Sequence, residues 1–357
     1  MSRKHFSTLL LATVIAVIAV ALLVPRQSSK DDGAMGNDPL LPGLSEHINA
    51  VERVVFDRSN ESVSVYRTED AWAIEELDGY PASWEKLRQL LGDLAQARIL
   101  ELKTDNPDYY ERLGVKHSDS EPATGIRVTL YWENQSRSII LGKSASGREG
   151  QYARLADAAR SVLVDKEMEA SVNAVDWADR QIIDLPSGEV SELEIIHPDG
   201  DWIRARKGNA ADTDFTLESL PEGREISSAW SVNSLAGALS ALQMDAVRPA
   251  IGDAPDDAVR FRALTFGGLE YIVDAWTEDG SHWLMLSATT PAAVTPIGEA
   301  DVQIPEIEVS MSAEAERFNE ARQGWQFRIP EYKFSSLGKR QADLLKPLES
   351  DADTANP

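Results

Sequence analysis

Residues 6–24 run for nineteen positions without a charge, FSTLLLATVIAVIAVALLV, and beyond them the apolar positions break into short alternating stretches. A run of this length crosses the ~30 Å hydrocarbon core of a bilayer as a helix rising ~1.5 Å per residue. Arg3, Lys4 and His5 precede it, so the positive-inside bias predicts a cytoplasmic N-terminus and an exported remainder. A cleaved signal peptide is the competing reading. Such peptides carry an apolar core of roughly 7–15 residues followed by a small-x-small site. Here the one such triplet, Ala19-Val20-Ala21, lies inside the apolar run. We therefore expect an uncleaved signal anchor over 1–26, then a flexible stalk over 27–47 whose sequence is polar, Gly- and Pro-containing and without periodicity.

Alternation with period two then predicts strands at Val51 to Asp57, Ser62 to Arg67 and Ala71 to Ile74. Trp84, Leu87, Leu90, Leu91 and Leu94 follow at helical spacing, predicting an amphipathic helix that covers one face of those strands. Gly125 to Trp132 and Ser136 to Leu141 read as a hairpin about Glu133-Asn134-Gln135, with further strands at Tyr152 to Arg154 and Ser161 to Val164. The pattern returns with strands at Val190 to Ile196, Asp201 to Ile203 and near Phe215, then a second helix carrying Val232, Leu235, Leu239 and Leu242. Shifted by 145 positions, Leu87, Leu90, Gly92 and Leu94 fall on Val232, Leu235, Gly237 and Leu239, which reads as an internal duplication. Strands at Val259 to Phe266, Leu269 to Trp276 and His282 to Leu286 complete the second half. A helix at Ala313 to Arg322, a strand at Trp325 to Ile329 and a helical stretch at Phe334 to Leu345 close the chain. The expected fold class is α+β: an N-terminal transmembrane helix, then two related strand-rich units with covering helices. The expected boundaries are 48–185 for the first unit, 186–290 for the second, 291–349 for a C-terminal helical and strand segment, and 350–357 for a polar disordered tail.

Charge narrows the partners. The net charge is −24, and the first thirty residues carry four basic groups and no acid, so the rest carries −28. A chain this acidic is repelled by nucleic-acid backbones and anionic headgroups, so no nucleic-acid partner is expected. It contains no cysteine, which removes disulfides, thiolate metal sites and thiol nucleophiles.

Several short segments carry a family resemblance together. They are Tyr109-Tyr110-Glu111-Arg112-Leu113-Gly114-Val115, Leu141-Gly142-Lys143 through Gly150-Gln151-Tyr152-Ala153-Arg154, Trp177-Ala178-Asp179-Arg180, and Arg322-Gln323-Gly324-Trp325 to Pro330-Glu331-Tyr332-Lys333 with Asp343-Leu344-Leu345. In this order they resemble an uncharacterised bacterial family of membrane-anchored periplasmic proteins, a domain of unknown function often encoded beside gliding-motility-type ABC transporter genes. The resemblance spans roughly Ala50 to Leu345. It implies an envelope location and a transporter or surface-assembly system, and it brings no catalytic residues.

Candidate chemistry is sparse. Gly142-Lys143-Ser144 lacks the glycine five positions earlier that a phosphate-binding loop requires, since position 137 is Arg, and it reads as a turn between strands. Ser336-Leu337-Gly338-Lys339 has the Ser-x-x-Lys spacing that lets an amine assist a hydroxyl on one helical face, but its companion motifs are missing. His5, His47, His117, His197 and His282 are isolated from one another, and His197 before Pro-Asp-Gly reads as a turn residue. Asp253 to Asp257 and Glu349, Asp351 and Asp353 lack the alternating ligands and turn glycine of a calcium loop. Trp72, Trp132, Trp202, Trp276 and Trp283 fall on strands and read as sheet residues, with a carbohydrate or peptide platform as the alternative if several share an exposed face. These readings assign no catalytic, cofactor-binding or metal-ligating residue and no cofactor. They point to a non-enzymatic, single-pass inner-membrane protein with its bulk in the periplasm, a binding or scaffolding partner of an ABC-transporter-linked system. The alternative is an envelope hydrolase with a carboxylate or His site between the two units.

Overall fold

The computed structural model describes residues 37–116, 123–291 and 306–347. The expected anchor, residues 27–36 of the expected stalk, His5, His117 and the tail acids lie outside these residues, whereas 37–47 of the stalk are described, with Leu40, Leu41 and Leu44 buried and Leu44–His47 helical. Among the described residues no helix is long and apolar enough to cross a membrane. The fold is strand-rich, with several sheets and few helices. Over the described residues its backbone divides into two compact units, one of residues 37–50, 90–116, 123–128 and 137–170, the other of residues 51–89, 129–136, 171–291 and 306–347.

Strands β1 (Val51–Arg58), β2 (Glu61–Arg67), β3 (Trp72–Ile74) and β4 (Tyr80–Pro81) form an antiparallel meander. The helix Trp84–Gln96 follows at the expected place. Leu87, Leu90, Leu91 and Leu94 are buried, whereas Trp84 is 53% exposed and stacks on Trp72 with ring centroids 6.4 Å apart. Phe56 stacks on Trp177 at 4.1 Å. Tyr80 is enclosed by Trp325 and Phe327, and its hydroxyl donates to the Asp179 carbonyl at 3.3 Å.

Burial pushes the Tyr80 phenol from its ordinary 10.0 up to about 12, with Arg322 opposing and Asp179 reinforcing the rise. The folded pKa lies above the unfolded one. The stability this group contributes is therefore intact below pH 10 and lost as pH rises toward about 12. That loss is expected to be on the order of 2–3 kcal/mol. Denaturation at stepped alkaline pH should show it in the wild type and less of it in Tyr80→Phe.

The first unit contains β5 (Ile99–Leu102), the 126–128 end of β6 (Ile126–Trp132), most of β7 (Gln135–Ser144), β8 (Gln151–Leu155) and β9 (Ser161–Val164). Four of these pair antiparallel in the order β7-β8-β9-β5. The hairpin turn is Glu133-Asn134, one residue shorter than expected, and Glu133 takes φ 51°. Tyr110, Val115 and Ile140 form a small core with Leu113 and Tyr152 against it.

The second unit also holds β10 (Gln181–Ile183), β11 (Val190–Ile196), β12 (Trp202–Arg206), β13 (Thr216–Leu217), β14 (Leu242–Gln243), β15 (Ala246–Pro249), β16 (Val259–Thr265), β17 (Glu270–Glu278), β18 (Ser281–Thr289) and β19 (Trp325–Ile329). Eight of them make an antiparallel sheet in the order β13-β12-β11-β16-β17-β18-β19-β15, and β10 pairs β14. The expected second helix is only Ala229–Asn233, continuing as one 3-10 turn, Ser234–Gly237. Leu242 falls on β14 instead. Helix-averse Ser, Asn and Gly crowd this stretch, and the Asn233 side chain accepts from the Phe215 N–H and donates to Asp214. The C-terminal helical stretch is likewise two pieces, Glu331–Leu337 and Gln341–Leu344, separated at Gly338.

Candidate functional site

Period-two alternation gives the eight-stranded sheet two unlike faces. Leu193, Ile195, Ile203, Ala205, Phe261, Ala263, Val273 and Leu284 are buried on one. The other presents a cross-strand row in which Trp202 faces Ile196, Ile196 faces Arg260, Arg260 faces Asp274 and Asp274 faces Met285. Trp202 and Ile196 are 45% and 38% exposed. A second row places Arg204, Glu194 and Arg262 side by side.

Opposite charges in neighbouring strands lock these rows. Arg260 grips Asp274 with two bonds, 2.7 and 3.1 Å. Glu194 takes Arg262 at 2.8 Å and Arg204 at 3.1 Å, while Arg262 also pairs with Glu270 and Arg206 with Glu218. Glu194 and Glu270 side chains are only 13% and 11% exposed, so each carboxylate has given up most of its hydration and depends on its arginine partners to offset that cost. Burial opposes the Arg262 charge, but its bonds to Glu270 and Glu194 outweigh that and hold the guanidinium above its usual range. The bond to Asp274 raises Arg260 likewise. At the far side Arg248 covers the Trp283 ring at 3.9 Å and pairs with Glu278.

A cavity of about 470 Å³ opens on this face, lined by Arg260, Asp274, Met285, Asn319, Arg322 and Trp325 among others. Asn319 and Arg322 come from the helix Glu306–Arg322. The Asn319 amide both donates to and accepts from the backbone of Ala288, each at 2.8 Å. Arg322 donates to the carbonyls of Ile182 and Gln181 at 3.0 and 3.1 Å.

The residues singled out from sequence land elsewhere. Gly142-Lys143-Ser144 is the end of β7, a strand and not a turn, and the Lys143 amine lies 3.4 Å from the carbonyls of Glu111 and Arg112. Ser336 donates to the Tyr332 carbonyl, and Lys339 follows the end of that helix at Gly338, so the two share no helical face. His197 is buried in its hairpin, with Nε2 3.1 Å from the Lys339 carbonyl. His282 stacks on Phe334 at 4.3 Å. Of the strand tryptophans Trp72, Trp132 and Trp276 are buried, and Trp202 is the exposed one. Among the described residues no group of three or more His, Cys, Asp or Glu is placed to hold a metal. The ion-pair rows escaped sequence reading, because charges two apart in three separate strands become partners only once the register is known.

Two of the four segments behind the family resemblance, 109–115 and 141–154, meet inside the first unit. Arg154, 5% exposed, lies over the Tyr110 ring at 4.6 Å and donates to the carbonyls of Val115, Leu155 and Ala158. Gly142 runs against Leu113 and Val115. Residues 72–261 match the family described as "Domain of unknown function (DUF4340)", a span of more than half the 357-residue chain that contains both segments. The chain belongs to this family. No curated protein and no solved structure matches it. In this DUF4340 member the matched span ends within β16, so the cavity's β17, β18 and Trp325 walls lie beyond it.

Proposed function

We propose that this protein is a membrane-anchored periplasmic binding or scaffolding protein, an accessory subunit of an ABC-transporter-linked envelope system. The observation that carries this reading is the outer face of the eight-stranded sheet, where Trp202 and Ile196 stand exposed beside ion-paired rows that fix their surroundings. A rigid sheet face with an exposed aromatic set among fixed charges suits recognition of a protein surface. The uncharged run Phe6–Val24 behind Arg3 and Lys4 supports the tether, and the family resemblance supports the transporter link. We also read the two halves as a duplication. Each runs antiparallel strands into a helix, β1-β2-β3 and the two-residue β4 before Trp84–Gln96, and β11-β12-β13 before Ala229–Asn233.

A mild-detergent pulldown of the full-length tagged protein from its own membranes, with mass spectrometry of what accompanies it, tests the reading. Stoichiometric recovery of transporter membrane and ATPase subunits is expected. Recovery of the protein alone, from membranes shown to be fully extracted, would contradict it.

A further inference from the structure

Burial is shared unequally within the ion pairs on the outer face of the eight-stranded sheet. The Arg260 side chain is 54% exposed against 21% for Asp274, and Arg206 is 61% exposed against 31% for Glu218. Arg262 at 37% and Arg204 at 39% both stand above Glu194 at 13%. Pairs off this face run the other way: Arg53 is less exposed than Glu75, Arg160 than Asp105, and Lys346 than Glu225. Arg340 is less exposed than Asp199, although more so than Asp201. On the sheet face the carboxylates form the lower layer and the guanidinium groups the upper one. Register sets their spacing. Arg204 and Arg206 alternate along β12 with Trp202, Arg260 and Arg262 lie on β16, and β11 runs between them. The arginines therefore recur roughly 7 Å along a strand and roughly 10 Å across two.

We infer that this face recognises an acidic segment of a partner protein, whose carboxylates accept from the upper-layer arginines while an apolar side chain packs against Trp202 and Ile196. Asp274 takes two of the N–H donors of Arg260, and a guanidinium carries five, so a second carboxylate can join at its exposed side. Arginine and tryptophan are both enriched among the residues that dominate interface energies, and here they lie on one face. A polyanion drawn in by bulk charge fits less well. Four arginines stand over the carboxylates of Glu192, Glu194, Glu218, Glu270 and Asp274, so the patch is near neutral, and the whole chain is acidic. Recognition is therefore directional: only acceptors that reach the guanidinium groups gain from them. This inference rests on the binding role proposed above and names the chemistry of its partner.

The test uses full-length protein in detergent, dye-labelled at its tag and titrated with the capped peptide Glu-Leu-Glu-Leu-Glu-Leu-Glu in microscale thermophoresis at ~20 mM salt. In an extended peptide these glutamates repeat at the spacing of the arginines along a strand. Saturable binding is expected on the order of 0.1–1 mM, and at least ~10-fold weaker for the same peptide with glutamine in place of glutamate. Arg260→Gln and Arg206→Gln should each weaken the glutamate peptide about 5-fold, and Arg206→Lys should recover less than half of that loss. Arg53→Gln, on β1, should leave binding unchanged. The comparison of the two peptides on wild-type protein stands even where a variant folds poorly. Equal binding of the two peptides, no binding by about 5 mM, or the same loss in Arg53→Gln overturns the inference. Inorganic polyphosphate held more tightly than the peptide, through the same arginines, would assign the face to a polyanion and overturn it too. If the peptide fails while the pulldown still recovers transporter subunits, the acidic partner falls and the binding role stands.

Discussion

Gly142→Val should destabilise the protein by on the order of 4 kcal/mol, and Gly142→Ala by about 3 kcal/mol. A Cβ at 142 would lie 2.4 Å from the Leu113 carbonyl oxygen, 2.8 Å from a Val115 methyl and 3.0 Å from the Tyr152 carbonyl oxygen. Two of these three are backbone atoms, fixed by the turn that ends in Gly114 at φ 73° and by the β7–β8 ladder. Neither can retreat without breaking pairing. Gly125 shows the same constraint, with the Gly114 carbonyl oxygen 2.4 Å from its would-be Cβ. Gly188 has open space around it and no left-handed backbone, so Gly188→Ala should stay within about 0.5 kcal/mol. Urea denaturation of the three variants separates close approach from any general intolerance of glycine replacement. A Gly142→Ala protein as stable as Gly188→Ala would contradict the packing described.

Arg154→Ala is expected to cost about 3 kcal/mol. The guanidinium is buried, and burial pushes its pKa below the usual arginine range. It lies against backbone carbonyls and the Tyr110 ring, with bonds of 3.2 Å to Val115 and 2.8 Å to Ala158. Truncation relieves the cost of a buried charge but leaves those carbonyls without donors, at ~1 kcal/mol or more each, and opens a cavity under Tyr110. The second effect wins because the Val115 and Ala158 carbonyls lose this donor together with the packing under Tyr110, while Leu155 keeps the Ala158 N–H. Arg154→Lys should restore less than half of the loss, since an ammonium cannot span the forked set of acceptors. The check is the denaturation midpoint of both variants. Full rescue by lysine would show that charge alone matters at this position.

These two residues explain why a sequence resemblance can be real and still say little about activity. Tyr110, Gly114, Gly142 and Arg154 are far apart in sequence yet form one structural knot in the first unit. Their constraint is steric and hydrogen-bonded, which accounts for a recognisable motif without any reacting group. Much of the strand pattern was legible: β9, β11 and β19 begin and end where alternation placed them. The Trp84–Gln96 helix was legible from its leucines, although Trp84 itself faces solvent against Trp72.

What escaped sequence reading has physical causes. β14 has only two residues, and β5 (ILEL) and β15 (AVRP) lack the β-branched run that marks the equally short β9 (SVLV). The second helix stops early because Asn233 prefers bonds to Asp214 and the Phe215 N–H. The candidate face depends on register, which places Glu194 between Arg204 and Arg262. A shift of one residue would turn all three toward the core.

The most direct test of the binding role places a photo-crosslinking amino acid at position 202 or 196 of the full-length protein in its own membranes. Controls carry it at Tyr109 and Tyr332, which are comparably or more exposed. The account predicts one discrete adduct from 202 and 196, containing the partner recovered in the pulldown, and none from the controls. No adduct at 202 or 196, or the same adduct from all four positions, would contradict a binding surface on this sheet.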